Sequence, residues 1–135
     1  QLPFHPEQFW NYLNEHYPVN IIRAKGLFWL ASRPFDAINF SQAGGSSRLE
    51  KAGVWWASMS YGERVSYPSF VEHKEWIESK WHKTWGDRMN ELVFIGQDMD
   101  HQQIIHELER CLVMEHEASL VFTEDNWKDP FPENM

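Results

Sequence analysis

The sequence has a single cysteine, Cys111, among its 135 residues. One thiol excludes an internal disulfide and any CxxC zinc or redox pair, and it agrees with a reducing compartment, so the cytoplasm is the expected location. Cations are scarce as well: 12 lysines and arginines stand against 20 aspartates and glutamates, for a formal net charge of −8. Affinity for a polyanion comes largely from lysine and arginine displacing counterions from phosphates, so nucleic acid and anionic membrane are not expected partners. No apolar run approaches the roughly 20 residues of a membrane helix, and the opening "QLPFHPEQFW" lacks the cationic and apolar blocks of a signal peptide.

Catalytic constellations are also missing. "AGGSSR" has no lysine followed by serine or threonine and leads into a strand, so it reads as a hairpin turn and not as a phosphate loop. Cys111 falls on the apolar stripe of a helix, where cysteine serves as a small buried hydrophobe with a raised pKa. No carboxylate stands inside an apolar run where burial would tune it for acid catalysis. The residues nominate no catalytic group, and no cofactor is expected in this chain.

What is present is core material. With 42% apolar residues and 16% aromatics the chain has enough for one domain around one core. It opens on Gln1 and not on methionine, which raises the expectation of a processed product or a piece of a longer protein.

The segment "FHPEQFWNYLNEHYP" places Pro6 where a helix accepts proline and Phe9, Trp10 and Leu13 on one stripe. His5 just ahead of it is expected to satisfy a free amide of the helix start. From Ile21 to Ala31 the even positions Ile22, Ala24, Gly26, Phe28 and Leu30 form an expected core face, and the odd positions are mixed. "AINFSQAGG" and "SSRLEKAGVWWAS" read as two further strands joined through Gly44 and Gly45. "SFVEHKEWIESKWHKTWGD" reads as one helix capped by Ser69 and stopped at Gly86, with Phe70, Ile77, Trp81 and Trp85 along a stripe. "NELVFIG" reads as a buried strand. "DMDHQQIIHELERCLV" opens with Asp100 and Gln103 spaced like a capping box and carries Ile104, Ile105, Leu108, Cys111 and Leu112 on one face. Residues 123–135 read as an extended acidic tail, pinned where Trp127 or Phe131 finds a groove. The sum is an α+β fold: an antiparallel four-stranded sheet with two or three helices packed on a face.

Two constellations remain. His101 and His106 are five apart, roughly 140° around a helix, and cannot chelate from one face. Together with His116 and nearby carboxylates they define an alternative metal-binding or sensing site that only the fold could assemble. The other is an aromatic and polar sheet face, Arg23, Lys25, Trp29, Gln42, Trp55 and Trp56. It is either covered by the chain's own helices and tail or open as a contact surface, with Arg23, Lys25, Trp29 and Gln42 as the expected partner-binding residues.

Read in order, "FHPEQFW", "RAKGLFWLASRP", "FSQAGG", "GVWWASM", "WGDRMNELVFIGQDMD", "ELERCLV" and "DPFP" resemble the C-terminal domain of the CobW family of P-loop GTPases, over residues 1–135 as a single domain. The resemblance implies metallochaperones of cobalamin synthesis and zinc homeostasis, in which an N-terminal GTPase domain carries the nucleotide and a cysteine-rich metal motif. Neither feature is found in these residues, so GTP and zinc or cobalt are implied for the parent protein. The resemblance further implies a non-catalytic domain that contacts the GTPase domain or recognises the metal-receiving client. Some members end in histidine-rich stretches, whereas this chain has no histidine after His116. Members also carry a strand ahead of "FHP", whose absence would leave a sheet edge open for pairing, including as a homodimer.

Overall fold

The computed structural model describes residues 1–122 and 127–135. Strands β1 (Ile21–Leu30), β2 (Arg33–Ala43), β3 (Ser46–Val54) and β4 (Glu91–Gly96) form one antiparallel sheet in the order β3-β2-β1-β4. This is the expected α+β architecture. The β2–β3 turn takes its geometry from Gly44, whose φ of 59° is one that only glycine adopts without strain.

Helix α1 (Pro6–Asn11) begins as its sequence dictates: His5 is the cap, its Nδ1 accepting from the Gln8 amide at 3.5 Å, and Pro6 occupies the first helical position. The helix runs on into a π-helical turn, Tyr12–His16. Helix α5 (His101–Arg110) starts at Asp100, whose carboxylate accepts from the Gln103 amide at 3.1 Å. Phe9 and Tyr12 from the first segment and Ile104 and Cys111 from the second join Ala24, Phe28, Leu30, Ile38 and Phe40 of the sheet in one core. The rings of Phe9 and Phe28 meet edge to face at 5.0 Å.

A second core lies on the opposite sheet face, at the end of the strands where β1 turns into β2. Alternation turns Trp29 and Ala37 away from Phe28 and Ile38, and there they pack with Ala31, Trp55, Trp85, Val113 and Val121. β4 stops pairing with β1 at Leu27, so the Trp29 amide is satisfied by the Asn90 side chain at 3.0 Å, while Asn90 in turn donates to the Leu2 carbonyl at 2.8 Å. Arg88 is buried against this cluster, and among the described residues it has no ion-pair partner. Its guanidinium donates to the Pro34 and Trp85 carbonyls and lies over the Trp29 ring. Burial pulls its pKa below the ordinary value, and neighbouring Asp87 opposes that shift.

Residues 127–135 lie against both cores. Arg33 donates from Nε to Asp129 at 2.8 Å and to the carbonyls of Phe131 and Pro132 at 2.9 and 2.8 Å. Ser32 also donates to Asp129, at 2.6 Å. This fork holds Phe131 inside the first core, and Trp127 packs against the second. Residues 123–126, which open the expected tail, lie outside the described residues.

Several local expectations are corrected. Ile22 is exposed, because a bulge between Ile21 and Arg23 breaks the alternation and puts Ile21 in the core instead. "NELVFIG" is an edge strand and not a buried one: among the described residues it pairs only with β1, and it exposes every second side chain. The single long helix is two short pieces, α3 (Pro68–Glu72) and α4 (Lys74–Ser79), with Tyr67 and not Ser69 in the capping position, and a further short helix, α2 (Tyr61–Arg64), precedes them. Trp81 and Trp85 fall outside any helix because the His82 Nδ1 accepts the amides of Thr84 and Trp85 and closes a loop that ends at Gly86. Ile105 faces solvent, so the apolar face of α5 is narrower than its composition.

Candidate functional site

Pairing registers place the side chains of the second sheet face in rows. One row reads Arg48, Ser41, Lys25, Val93 across β3, β2, β1 and β4; the next reads Ser46, Ala43, Arg23, Ile95. Neighbouring strands lie about 4.8 Å apart, so these eight positions form one contiguous patch. The second core does not extend over it. Arg23, Lys25 and Arg48 are exposed, and Val93 and Ile95 are 53% and 58% accessible. The row below carries Glu50 and Glu91, bracketing Asn39 and Leu27.

Among the described residues neither Arg23 nor Lys25 has an ion-pair partner, and Arg48 reaches only Glu50, at 4.0 Å between well-exposed side chains. An exposed pair of that length holds neither group firmly. The patch therefore offers cations beside β-branched apolar residues, on a chain whose overall charge is −8.

Of the four residues expected to bind a partner, two stand on this surface and two do not. Trp29 is 0% exposed, because the second core closes over it. Gln42 is 8% exposed: alternation points it to the helix side, where it accepts from the Tyr17 hydroxyl at 2.7 Å and donates to the Gly44 and Ile21 carbonyls at 2.7 and 3.3 Å. Its partners make it a structural bolt between the π-helical turn and the first hairpin. Trp55 is likewise in the second core, donating to the Asp36 carbonyl at 3.0 Å. Arg23 and Lys25 remain on the open surface. Sequence reasoning missed Arg48, Val93 and Ile95. Their alternation in "SSRLEK" and "ELVFIG" was visible, but the sheet order that makes them neighbours was not.

His101, His106 and His116 are all exposed, and among the described residues no three histidine, cysteine or carboxylate groups converge on a point that a metal ion could occupy. Among the described residues the metal alternative is therefore not assembled. Cys111 is buried, and burial, with Glu107 adding, pushes its thiol up to about 11, so it is protonated and unreactive near neutrality.

The fold and the patch define an α+β domain whose sheet packs helices on one face and is only partly covered on the other. The chain belongs to the family of the cobalamin synthesis protein cobW C-terminal domain, whose model matches residues 1–112. It is 33% identical over 129 residues to the zinc-regulated GTPase metalloprotein activator 1 of Dictyostelium discoideum, covering 93% of this chain and 26% of that protein. It is 28% identical over 134 residues to a zinc chaperone of Mycobacterium tuberculosis, covering 96% of this chain and 32% of that protein. The chain thus spans about a quarter to a third of these relatives' length. No solved structure gives a significant match. Among the described residues no helix is long and apolar enough to cross a membrane.

Proposed function

We propose that this chain is the non-catalytic C-terminal domain of a cytoplasmic, GTP-dependent chaperone for zinc or cobalt, and that it contacts the GTPase domain of its parent, the metal-receiving client, or both. Family membership and the names of the two relatives support the metallochaperone setting. The observation that carries the contact role is the open upper half of the sheet face, where Arg23 and Lys25 stand beside Val93 and Ile95. Arginine flanked by apolar surface is a common anchor of protein interfaces, whereas the rest of the molecule's surface is dominated by acid.

The test is binding in trans between the purified chain and a CobW-family GTPase domain, measured with GDP and with a non-hydrolysable GTP analogue. Arg23→Glu with Lys25→Glu is expected to weaken the complex in at least one nucleotide state, with the circular dichroism of the chain unchanged. Equal affinity of variant and wild type in both states would remove this surface from the GTPase contact.

A further inference from the structure

The patch is concave, and its shape follows from side-chain size. Ser41 and Ala43, the β2 members of the two rows, are small, whereas Arg48 on β3 and Arg23 and Lys25 on β1 are long. The result is a trough of about 650 Å³ along β2, walled by cations on both sides and bordered by Val93 and Ile95 beyond β1. The cations are two strands apart across the trough, roughly 10 Å, which is the width of an extended chain with its side chains. Arg23 and Lys25, two residues apart on the same strand face, repeat at roughly 7 Å, which matches the spacing of alternate side chains on an extended partner.

We infer that this trough binds an extended acidic segment of a partner protein, with alternate carboxylates pairing to Arg23, Lys25 and Arg48 and an apolar side chain resting on Val93 and Ile95. The inference rests on the reading of this face as a partner surface and goes beyond it by fixing the chemistry of the occupant. Charge complementarity carries it: three cations lie within two adjacent rows of a chain of charge −8, two of them without an ionic partner among the described residues. The two carboxylates on this face, Glu50 and Glu91, sit one row away and leave the trough itself cationic. A partner carboxylate at Arg23 gains a guanidinium fork that no carboxylate among the described residues has claimed.

The experiment uses the purified chain and a fluorescein-labelled peptide alternating glutamate with valine, with a second peptide in which lysine replaces each glutamate. Anisotropy is expected to report binding of the acidic peptide only. Affinity is expected to fall about tenfold or more on raising salt from about 0.05 to about 0.5 M, since exposed charge pairs are screened over that range. It is also expected to fall at least as far in Arg23→Glu with Arg48→Glu, while Lys128→Glu, outside the trough, leaves it unchanged. Absence of acidic-peptide binding, equal binding of the lysine peptide, or binding of duplex DNA or anionic vesicles as tight as that of the acidic peptide would each overturn the inference. If the acidic peptide does not bind while Arg23→Glu with Lys25→Glu weakens the GTPase-domain complex, the face is a partner surface of different chemistry and only the present inference fails.

Discussion

Removing the ring of Phe131 tests whether the last residues of the chain belong to the fold. Phe131 is 3% exposed, 4.9 Å from the Trp10 ring and 6.2 Å from that of Phe28. A buried aromatic removes on the order of 150–200 Å² from water, which at about 25 cal/mol per Å² sets an upper estimate of about 4–5 kcal/mol. Truncation to alanine keeps the Cβ but leaves a cavity between rings, so Phe131→Ala is expected to cost about 3–4 kcal/mol. Arg33→Ala removes the fork to Asp129 and the two tail carbonyls and is expected to cost about 2 kcal/mol, and the double variant should cost less than the sum because both changes release the same segment. Urea unfolding followed by tryptophan fluorescence measures all three, with limited proteolysis reporting release of the tail. A Phe131→Ala cost below about 1 kcal/mol at unchanged m value would refute the reasoning and place the tail outside the cooperative unit. The outcome bears on the domain's limits, because the family model ends at residue 112 while the packing of Val113, Val121 and Phe131 does not.

Other changes have equally definite outcomes. A Cβ at Gly26 would run into the Glu91 carbonyl where β1 and β4 pair, so Gly26→Ala is expected to cost about 2–3 kcal/mol by urea titration, with early loss of the β4 amide signals in NMR. Gln42→Ala strips partners from the Tyr17 hydroxyl and the Gly44 carbonyl together and is expected to cost about 2–3 kcal/mol, whereas a surface role would leave stability unchanged. Burial pushes the Cys111 thiol up to about 11 and the Tyr17 hydroxyl up to about 12. Both folded values exceed the unfolded ones, so their stabilisation is complete below about pH 9 and is lost as pH rises towards 12, because the unfolded chain releases these protons first. Denaturation midpoints should decline above about pH 9, and Cys111→Ala should remove the earliest part of the decline. A flat profile to pH 11 would contradict the burial of both groups.

The legible parts of this fold were those specified by neighbouring residues. The His5–Pro6 helix start, the Asp100 cap and the Gly44 turn each depend on contacts within a few positions, and each forms as its residues dictate. The alternation of β1 was legible too, but not what covers each side of it. Trp29 looked like an interface anchor because an aromatic on a mixed face has no local sign of burial, and the groups that bury it, Trp85, Val113 and Val121, lie more than fifty residues further on. Gln42 was assigned to the wrong side for a related reason: its polarity suggested water, while its strand position dictated the core, and three hydrogen-bond partners made that position tolerable. The candidate patch was half legible. Arg23 and Lys25 announced themselves, but Val93 and Ile95 join them only because β4 pairs back onto β1 after a long helical excursion.

Strand β1 is held unequally along its length. From Phe28 to Leu30 it is dry on both faces; around Ile22 to Lys25 it carries a bulge and one wet face. Amide hydrogens at the first end should exchange only when the whole domain opens, and those at the other end by small local openings. Local opening at the loosely held end can therefore rearrange the surface that carries Arg23 and Lys25 while the firmly held end keeps the fold intact.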